Sequence, residues 1–206
     1  MAQSYTGPIF SGQPDWARVP IARLESFHWE KESPYRPASF AQLCAVRGEG
    51  IFVRMWSFES PIRAVAAKRD DPVYQDSCLE CFLNPFPAQQ NSYINFEMNA
   101  NGALYAEKGY TRENRTLISD VYYQEAECRA KIESDRWCVS VLIPEALLGE
   151  ITSLEKLKSG QRFYCNFYKI SEDDKIQHFG CYSPIESEEP NFHLPICFAK
   201  AVIADV

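Results

Sequence analysis

Acidic and amide side chains recur at every second position in two nearby stretches of the sequence. In DSCLECFLN the acid is Glu80, and in SYINFEMNANG the polar positions are Asn95, Glu97 and Asn99. Side chains alternate across a strand, so this spacing puts them on one face, opposite an apolar row. The row has no cation, and its amides both donate and accept hydrogen bonds. Sugar hydroxyls need such partners, so the pattern predicts a face that binds a sugar.

Two further segments repeat this alternation of apolar and polar positions. GIFVRMWSF places Arg54 and Trp56 opposite its apolar row, and RFYCNFYKI does the same with Asn166 and Tyr168. If these strands are neighbours, one sheet presents all of these polar and aromatic groups together. Arg54 has a second interpretation, in which it neutralises one of the acids through a charge-assisted pair.

Period-two alternation, with turn residues between the segments, predicts a mostly β protein. The eleven predicted strands are 22–29, 39–47, 50–58, 76–84, 92–99, 103–108, 126–133, 136–143, 162–171, 177–182 and 196–204. Their number and spacing favour an all-β fold, an antiparallel β-sandwich of immunoglobulin-like or jelly-roll-like type. One short helix is expected at 144–149, opened by proline and closed by glycine. Residues 1–20 read as an irregular lead-in because glycine and proline recur there, and residues 1–206 as one domain.

Composition restricts the partners. Among 206 residues, 28 acidic against 21 basic side chains give a formal net charge of −7, and no basic cluster interrupts it. Such a chain repels nucleic acid and anionic lipid, so neither is expected as a partner. The N-terminal sequence shows no signal-like apolar stretch, which predicts a cytoplasmic location. Oligomeric state is left open.

Eight cysteines are spread along the chain, mostly inside the predicted strands. We interpret them as reduced core residues and not as a disulfide framework. Cys78 and Cys81 have the spacing of a zinc knuckle, but no second pair stands at a matching distance.

The segments PVYQDSCLECFLNP, YINFEMNANGALY and FYCNFYKI resemble the family-9-like carbohydrate-binding modules. The resemblance runs from about residue 20 to residue 204. It implies a sandwich that binds mono- or oligosaccharides without catalysis, in a slot between two aromatic rings, with amides and acids bonding the hydroxyls.

The resemblance also implies roles for particular residues. Tyr74 stands where xylanase-linked members have one tryptophan wall, and Phe192 where they have the second. Trp56 is a further candidate surface for stacking. The acid carried over is Glu80, and the polar strand is Asn95, Glu97 and Asn99, with Asn95 in place of an arginine.

Xylanase-linked members hold calcium in loops. Asp70, Asp71 and Asp76 supply oxygen donors here, but without a recognisable ligand spacing. We therefore expect no cofactor, with calcium as the alternative.

Two alternative functions use the same acidic and amide residues. Glu80 and Glu97 are the acid pair that a glycoside hydrolase would need, at a separation of about 5 to 5.5 Å for a retaining enzyme. The same polar residues would also serve a buried network in a structural or protein-binding sandwich.

Arg112, in the long connection 109–124, is predicted to close over a ligand. No histidine stands beside a nucleophile, so no catalytic residue is expected, and His193 beside Phe192 is the histidine most suited to a site.

Overall fold

The computed structural model describes residues 3–29, 34–85, 92–152 and 154–205, which are mostly β with two α-helices. The strands are β1 Ser4–Phe10, β2 Ala22–Arg23, β3 Ser26–Phe27, β4 Ala38–Val46, β5 Gly50–Phe58, β6 Cys78–Asn84, β7 Tyr93–Asn99, β8 Leu104–Gly109, β9 Arg115–Leu117, β10 Arg129–Ile132, β11 Trp137–Pro144, β12 Arg162–Ser171, β13 His178–Cys181 and β14 Ala199–Asp205. The helices are α1 Asp120–Glu125 and α2 Glu145–Thr152.

Within these ranges the strands form one curled sheet. Its order is β10-β11-β5-β4-β1-β14-β12-β6-β7-β8-β9, with β2 paired to β4, and β13 paired to β12 and β3. The sheet is mixed, because β1 runs parallel to both β14 and β4. The prediction of a purely antiparallel sheet is therefore wrong at β1.

The irregular lead-in predicted for residues 1–20 is also wrong over Ser4–Phe10; its first two residues lie outside the described part. Gly7 and Pro8 suggested a break, yet both lie within β1. A Cβ at Gly7 would come within 3.1 Å of the Leu43 side chain and carbonyl oxygen. The glycine therefore permits close approach of β1 to β4 instead of ending a strand.

Apolar residues from both halves of the sheet meet in one core. Val53 and Val139 come from the β4-β5-β11 half, and Leu79, Phe96 and Phe167 come from the β12-β6-β7 half. A second apolar cluster lies on the opposite side of β6, β7 and β12, where the segment 185–198 covers Phe82, Tyr93 and Tyr168. Five of the eight cysteines are buried, and all eight are free thiols.

The connection predicted at 109–124 contains an edge strand and a helix. β9 pairs with β8, with Glu107 opposite Leu117 and Gly109 opposite Arg115. α1 follows, so the described ranges contain two α-helices where one helix was predicted. Three residues are too short for an alternation signal, which is why the sequence pattern did not reveal β9. No helix in the described ranges is long and apolar enough to cross a membrane.

Candidate functional site

A cleft of about 580 Å³ opens on the outer side of the β12-β6-β7-β8 half. Strand register determines its floor. Tyr168 of β12 stands opposite Glu80 of β6, Glu80 opposite Glu97 of β7, and Glu97 opposite Tyr105 of β8. A single row, Tyr168–Glu80–Glu97–Tyr105, therefore crosses four strands on one face, and its last three members line the cleft.

The two floor acids are buried directly opposite each other. Glu80 and Glu97 are 2% and 4% exposed. Burial and the charge of Glu97 raise the pKa of Glu80 well above its usual range. Burial also raises the pKa of Glu97 to about 7, against the opposing effect of Arg115. Because the pKa values of both carboxyls are raised, the pair retains at least one proton near neutral pH. The floor then offers a hydrogen-bond donor and several acceptors side by side.

Arg115 supplies the positive charge behind the acids. Its Nη1 lies 2.8 Å from a Glu107 carboxylate oxygen, donates to Asn95 Oδ1 at 3.2 Å and lies 4.0 Å from Glu97 Oε1. Asn95 in turn donates to Glu97 Oε1 at 3.1 Å. Opposite Arg115, a Cβ at Gly109 would stand 2.7 Å from the Arg115 Cα, so only glycine allows this pairing.

Aromatic rings border the cleft on two sides. Tyr74 lies in the 3-10 turn Val73–Gln75 and is 36% exposed, which leaves ring surface for a ligand. Phe192 is only 6% exposed, because it stacks on Tyr168 with ring centroids 4.1 Å apart and planes 7° apart. Tyr74 is therefore the more available of the two predicted walls.

The model of "Carbohydrate-binding family 9" matches residues 13–203. The chain belongs to carbohydrate-binding family 9. Membership confirms the predicted resemblance and the predicted function, non-catalytic carbohydrate binding. The sequence matches none of the curated proteins.

Three solved structures share the fold of this family 9 chain. A Bacteroides uniformis ATCC 8492 protein, proposed to bind carbohydrate, is 24% identical with a TM-score of 0.86, over 98% of this chain and 100% of its own. A family 9 module from Caldicellulosiruptor kristjanssonii with cellotriose is 12% identical (TM-score 0.69; 99% and 95% covered). A family 9 module from the same organism with glucose is 13% identical (TM-score 0.67; 99% and 97% covered).

Five of the predicted site residues of this family 9 chain line the cleft. They are Tyr74, Glu80, Glu97, Arg112 and Phe192. Sequence reasoning did not select the other lining residues, which are Tyr105, Glu113, Arg115, Ile170, Glu172, Phe179, Pro190, Asn191 and His193. His193 was noted only because it neighbours Phe192. Arg115 lies three residues beyond the predicted Arg112. Only the pairing between β8 and β9 shows that Arg115 is the arginine beside Asn95 and Glu97.

Asn95, Asn99 and Asn166 lie behind the cleft and not on its surface. All three are fully buried. Asn166 donates to the Ser183 carbonyl and accepts from the Ser183 N–H, at 2.9 and 2.8 Å. These bonds hold a loop to β12, which agrees with the buried-network alternative for this residue.

Arg54 and Trp56 are not brought to the cleft. β5 pairs with β4 and β11 in the other half of the sheet, so its polar face belongs to a different surface. There Trp56 stacks on Phe40 at 5.3 Å, and Arg54 donates to Gln42 Oε1 at 2.6 Å. The expectation that one sheet face presents these residues with Glu80 is wrong, because alternation does not specify which strands are neighbours.

The three candidate calcium donors already have protein partners. Asp70 pairs with Arg69 at 2.9 Å, and Asp71 accepts from two backbone N–H groups. Asp76 accepts from the N–H groups of residues 65 and 66. Across the described ranges, no three His, Cys, Asp or Glu side chains form a metal-binding group. Calcium stays an untested alternative to the prediction of no cofactor.

Asn99 holds the connection that carries Tyr74. It donates to the Ala66 carbonyl and to Asp76, and its oxygen accepts from the Ala103 N–H. We expect Asn99→Ala to lower the free energy of unfolding by about 1–3 kcal/mol, because it leaves buried groups unpaired. Urea denaturation measures this loss. Asn101→Ala removes a more exposed amide that bonds the same loop and should cost less. Equal stability of Asn99→Ala and the unaltered protein would contradict the structural role.

Proposed function

We propose that the cleft is the carbohydrate site of this family 9 chain, that it takes a neutral sugar unit, and that the curled sheet is a β-sandwich of the family type. The observation that carries the proposal is the row of Glu80, Glu97 and Tyr105 at the base of an aromatic-rimmed cleft. With at least one of the two carboxyls protonated, this row has both donors and acceptors, which is what neighbouring sugar hydroxyls require. A volume of about 580 Å³ lies within the usual range of small-molecule sites.

Charge at the cleft supports a neutral ligand over an acidic one. Four glutamates line it, Glu80, Glu97, Glu113 and Glu172, against the two arginines Arg112 and Arg115. Arg115 is already engaged with Glu107. A uronic acid would be repelled by those glutamates that are ionised, whereas a neutral sugar carries no charge to be repelled. The complexes of related family 9 modules with glucose and cellotriose point the same way.

Each lining residue then has a separate role. Tyr74 stacks on a sugar ring, and Phe192 adds an apolar edge from its stacked position on Tyr168. Glu80 and Glu97 bond hydroxyls on the floor, with Asn95 and Arg115 holding Glu97 in place. Arg112, exposed at the rim, reaches ligand oxygens.

The experiment is isothermal titration calorimetry with glucose, cellobiose and cellotriose, on the unaltered protein and on Tyr74→Ala. We expect binding at micromolar to millimolar concentration and about two- to tenfold weaker affinity for Tyr74→Ala, since a stacked ring contributes about 0.5–1.5 kcal/mol. The sugar should be recovered unchanged, whereas turnover would favour hydrolysis.

The matched control is Trp56→Ala, which removes an aromatic ring from the other half of the sheet. It should keep the affinity of the unaltered protein. Failure of all neutral sugars to bind at millimolar concentration, with the protein folded, would contradict the proposal. Equal losses in the two variants would contradict the placement of the site.

A further inference from the structure

His193 stands in the wall of the cleft with one ring nitrogen engaged from below. Its Nδ1 lies 2.8 Å from the hydroxyl oxygen of Tyr93. The ring also lies 4.9 Å from the ring of Phe82. The imidazole thus contacts two buried aromatic side chains, while the residue also lines the cleft.

Tyr93 fixes the direction of this hydrogen bond. Its side chain is fully buried, stacked on Phe82 at 5.9 Å and edge-on to Phe198 at 6.0 Å. A buried hydroxyl needs an acceptor for its hydrogen, and within the described ranges its hydrogen-bond partner is His193 Nδ1. The hydroxyl therefore donates, Nδ1 accepts, and the single proton of a neutral imidazole lies on Nε2.

The surroundings keep this histidine neutral. Burial and the nearby charges of Arg115 and Arg112 lower the pKa of His193 to about 3. The imidazole is consequently neutral throughout the physiological pH range. Nε2 therefore keeps its proton over this range, in the tautomer that the hydrogen bond from Tyr93 sets.

The segment around His193 is held at several points. The His193 N–H donates to Asn191 Oδ1 at 2.9 Å, and the Leu194 N–H donates to the Phe192 carbonyl at 2.9 Å. Phe192 itself is stacked on Tyr168. The imidazole is therefore positioned before any ligand arrives, and this lowers the cost of ordering it on binding.

Nε2 is the ring nitrogen of His193 that is left for a ligand. His193 is part-exposed, and among the described residues its Nε2 has no protein partner and is not one of the buried unpaired atoms. Nε2 is thus free to donate to a ligand in the cleft that His193 lines together with Glu80 and Glu97. A sugar hydroxyl in contact with both would donate its hydrogen to a floor carboxylate and accept from Nε2–H.

We propose that His193 is a ligand-contacting residue that donates its Nε2–H to a sugar oxygen, and that Tyr93 is the positioning residue that sets this tautomer. The inference rests on the proposed function, because it assigns a contact within the same cleft. It predicts that the sugar oxygen at this point belongs to a hydroxyl, since a hydroxyl accepts from the wall and donates to the floor.

The test combines one spectroscopic and one affinity measurement. In the unaltered protein, ¹⁵N spectra of labelled histidine should show His193 protonated on Nε2 from pH 6 to pH 8. Tyr93→Phe removes only the hydroxyl and should give a mixture of tautomers with about three- to tenfold weaker glucose or cellotriose binding. His193→Leu should lose about five- to tenfold. His193→Gln, whose amide nitrogen reaches about as far as Nε2, should restore most of the affinity.

Two results would overturn the inference. One is a proton on Nδ1 in the unaltered protein. The other is a folded His193→Leu variant that binds sugar as tightly as the unaltered protein, which would remove His193 from the contact while the proposed function stands. Absence of sugar binding by the unaltered protein would overturn both proposals together, and so is distinguishable from failure of the histidine contact alone.

Discussion

Lys169→Met should lower the free energy of unfolding by about 3–5 kcal/mol, the largest stability effect expected for a single substitution in this chain. Lys169 Nζ lies 3.0 Å from Glu59 Oε1, and both side chains are 0% exposed. Trp137 Nε1 donates to the other Glu59 oxygen at 2.9 Å. Methionine would fill the space of the lysine but leave the Glu59 carboxylate buried without its cation.

A neighbouring imidazole is a poor substitute for the lysine. His178 Nε2 lies 3.8 Å from Glu59 Oε1, but the pKa of His178 is lowered to about 3. Burial is the larger cause and the charge of Lys169 the smaller, and the burial persists in the variant. Urea denaturation at pH 7 measures the loss. The double variant Glu59→Gln/Lys169→Met should regain much of the stability, because it removes the unpaired charge as well. Lys200→Met, the same substitution at an exposed strand position, is the matched control.

A Lys169→Met variant whose free energy of unfolding lies within about 1 kcal/mol of that of the unaltered protein would contradict this account. It would show that burying the Glu59 carboxylate without its cation costs little. The same conclusion would follow if the double variant were no more stable than the single one.

Glu97→Gln should become more stable relative to the unaltered protein as the pH rises from about 5 to 8. The pKa of Glu97 is raised from 4.5 to about 7. A raised pKa means that the folded state holds a proton that the unfolded state releases, so its contribution is fully present below pH 4.5 and is lost as the pH rises toward 7. The difference corresponds to about 3 kcal/mol. Glutamine carries no charge at any of these pH values and escapes this loss.

The comparison of the two proteins matters because other groups titrate in the opposite direction. His178 and His193 have a pKa lowered to about 3, so their contribution is present above pH 6.5 and is lost on acidification. Between pH 4.5 and 6.5 the titration of these histidines offsets the effect of the floor acids on the stability of the unaltered protein. Both proteins contain both histidines, so the histidine contribution cancels in the difference between the two stabilities.

Urea denaturation at pH 5, 6, 7 and 8 gives the difference in stability directly. Glu113→Gln, the same substitution at an exposed residue of the same cleft, is the control. A difference for Glu97→Gln that stays constant over this pH range would contradict the raised pKa of Glu97.

Much of the fold follows from local alternation. β5 and β12 have the bounds predicted from period two, and the opposition of Glu80 and Glu97 agrees with neighbouring strands. Alternation does not specify which strands are neighbours in the sheet. Arg54 and Trp56 repeat the pattern of the floor but belong to the other half, because β5 pairs with β4 and β11.

The site was predicted less completely than the fold, for physical reasons. A polar residue on the outer face of a strand bonds a ligand or a covering loop, and Asn166 does the second through Ser183. Arg115 enters the site from a three-residue strand that has no periodic signal. His193 depends on a tyrosine one hundred positions away, and only the folded chain brings the two together.

The most direct test of the carbohydrate site is a ¹H–¹⁵N titration of the labelled protein with glucose and then cellotriose. We predict saturable shifts at the amides around Glu80 and Glu97, in the 110–115 connection and at 190–193, with those of Arg54 and Trp56 unchanged. Shifts centred on β5, or none at millimolar sugar, would contradict the placement of carbohydrate in this cleft.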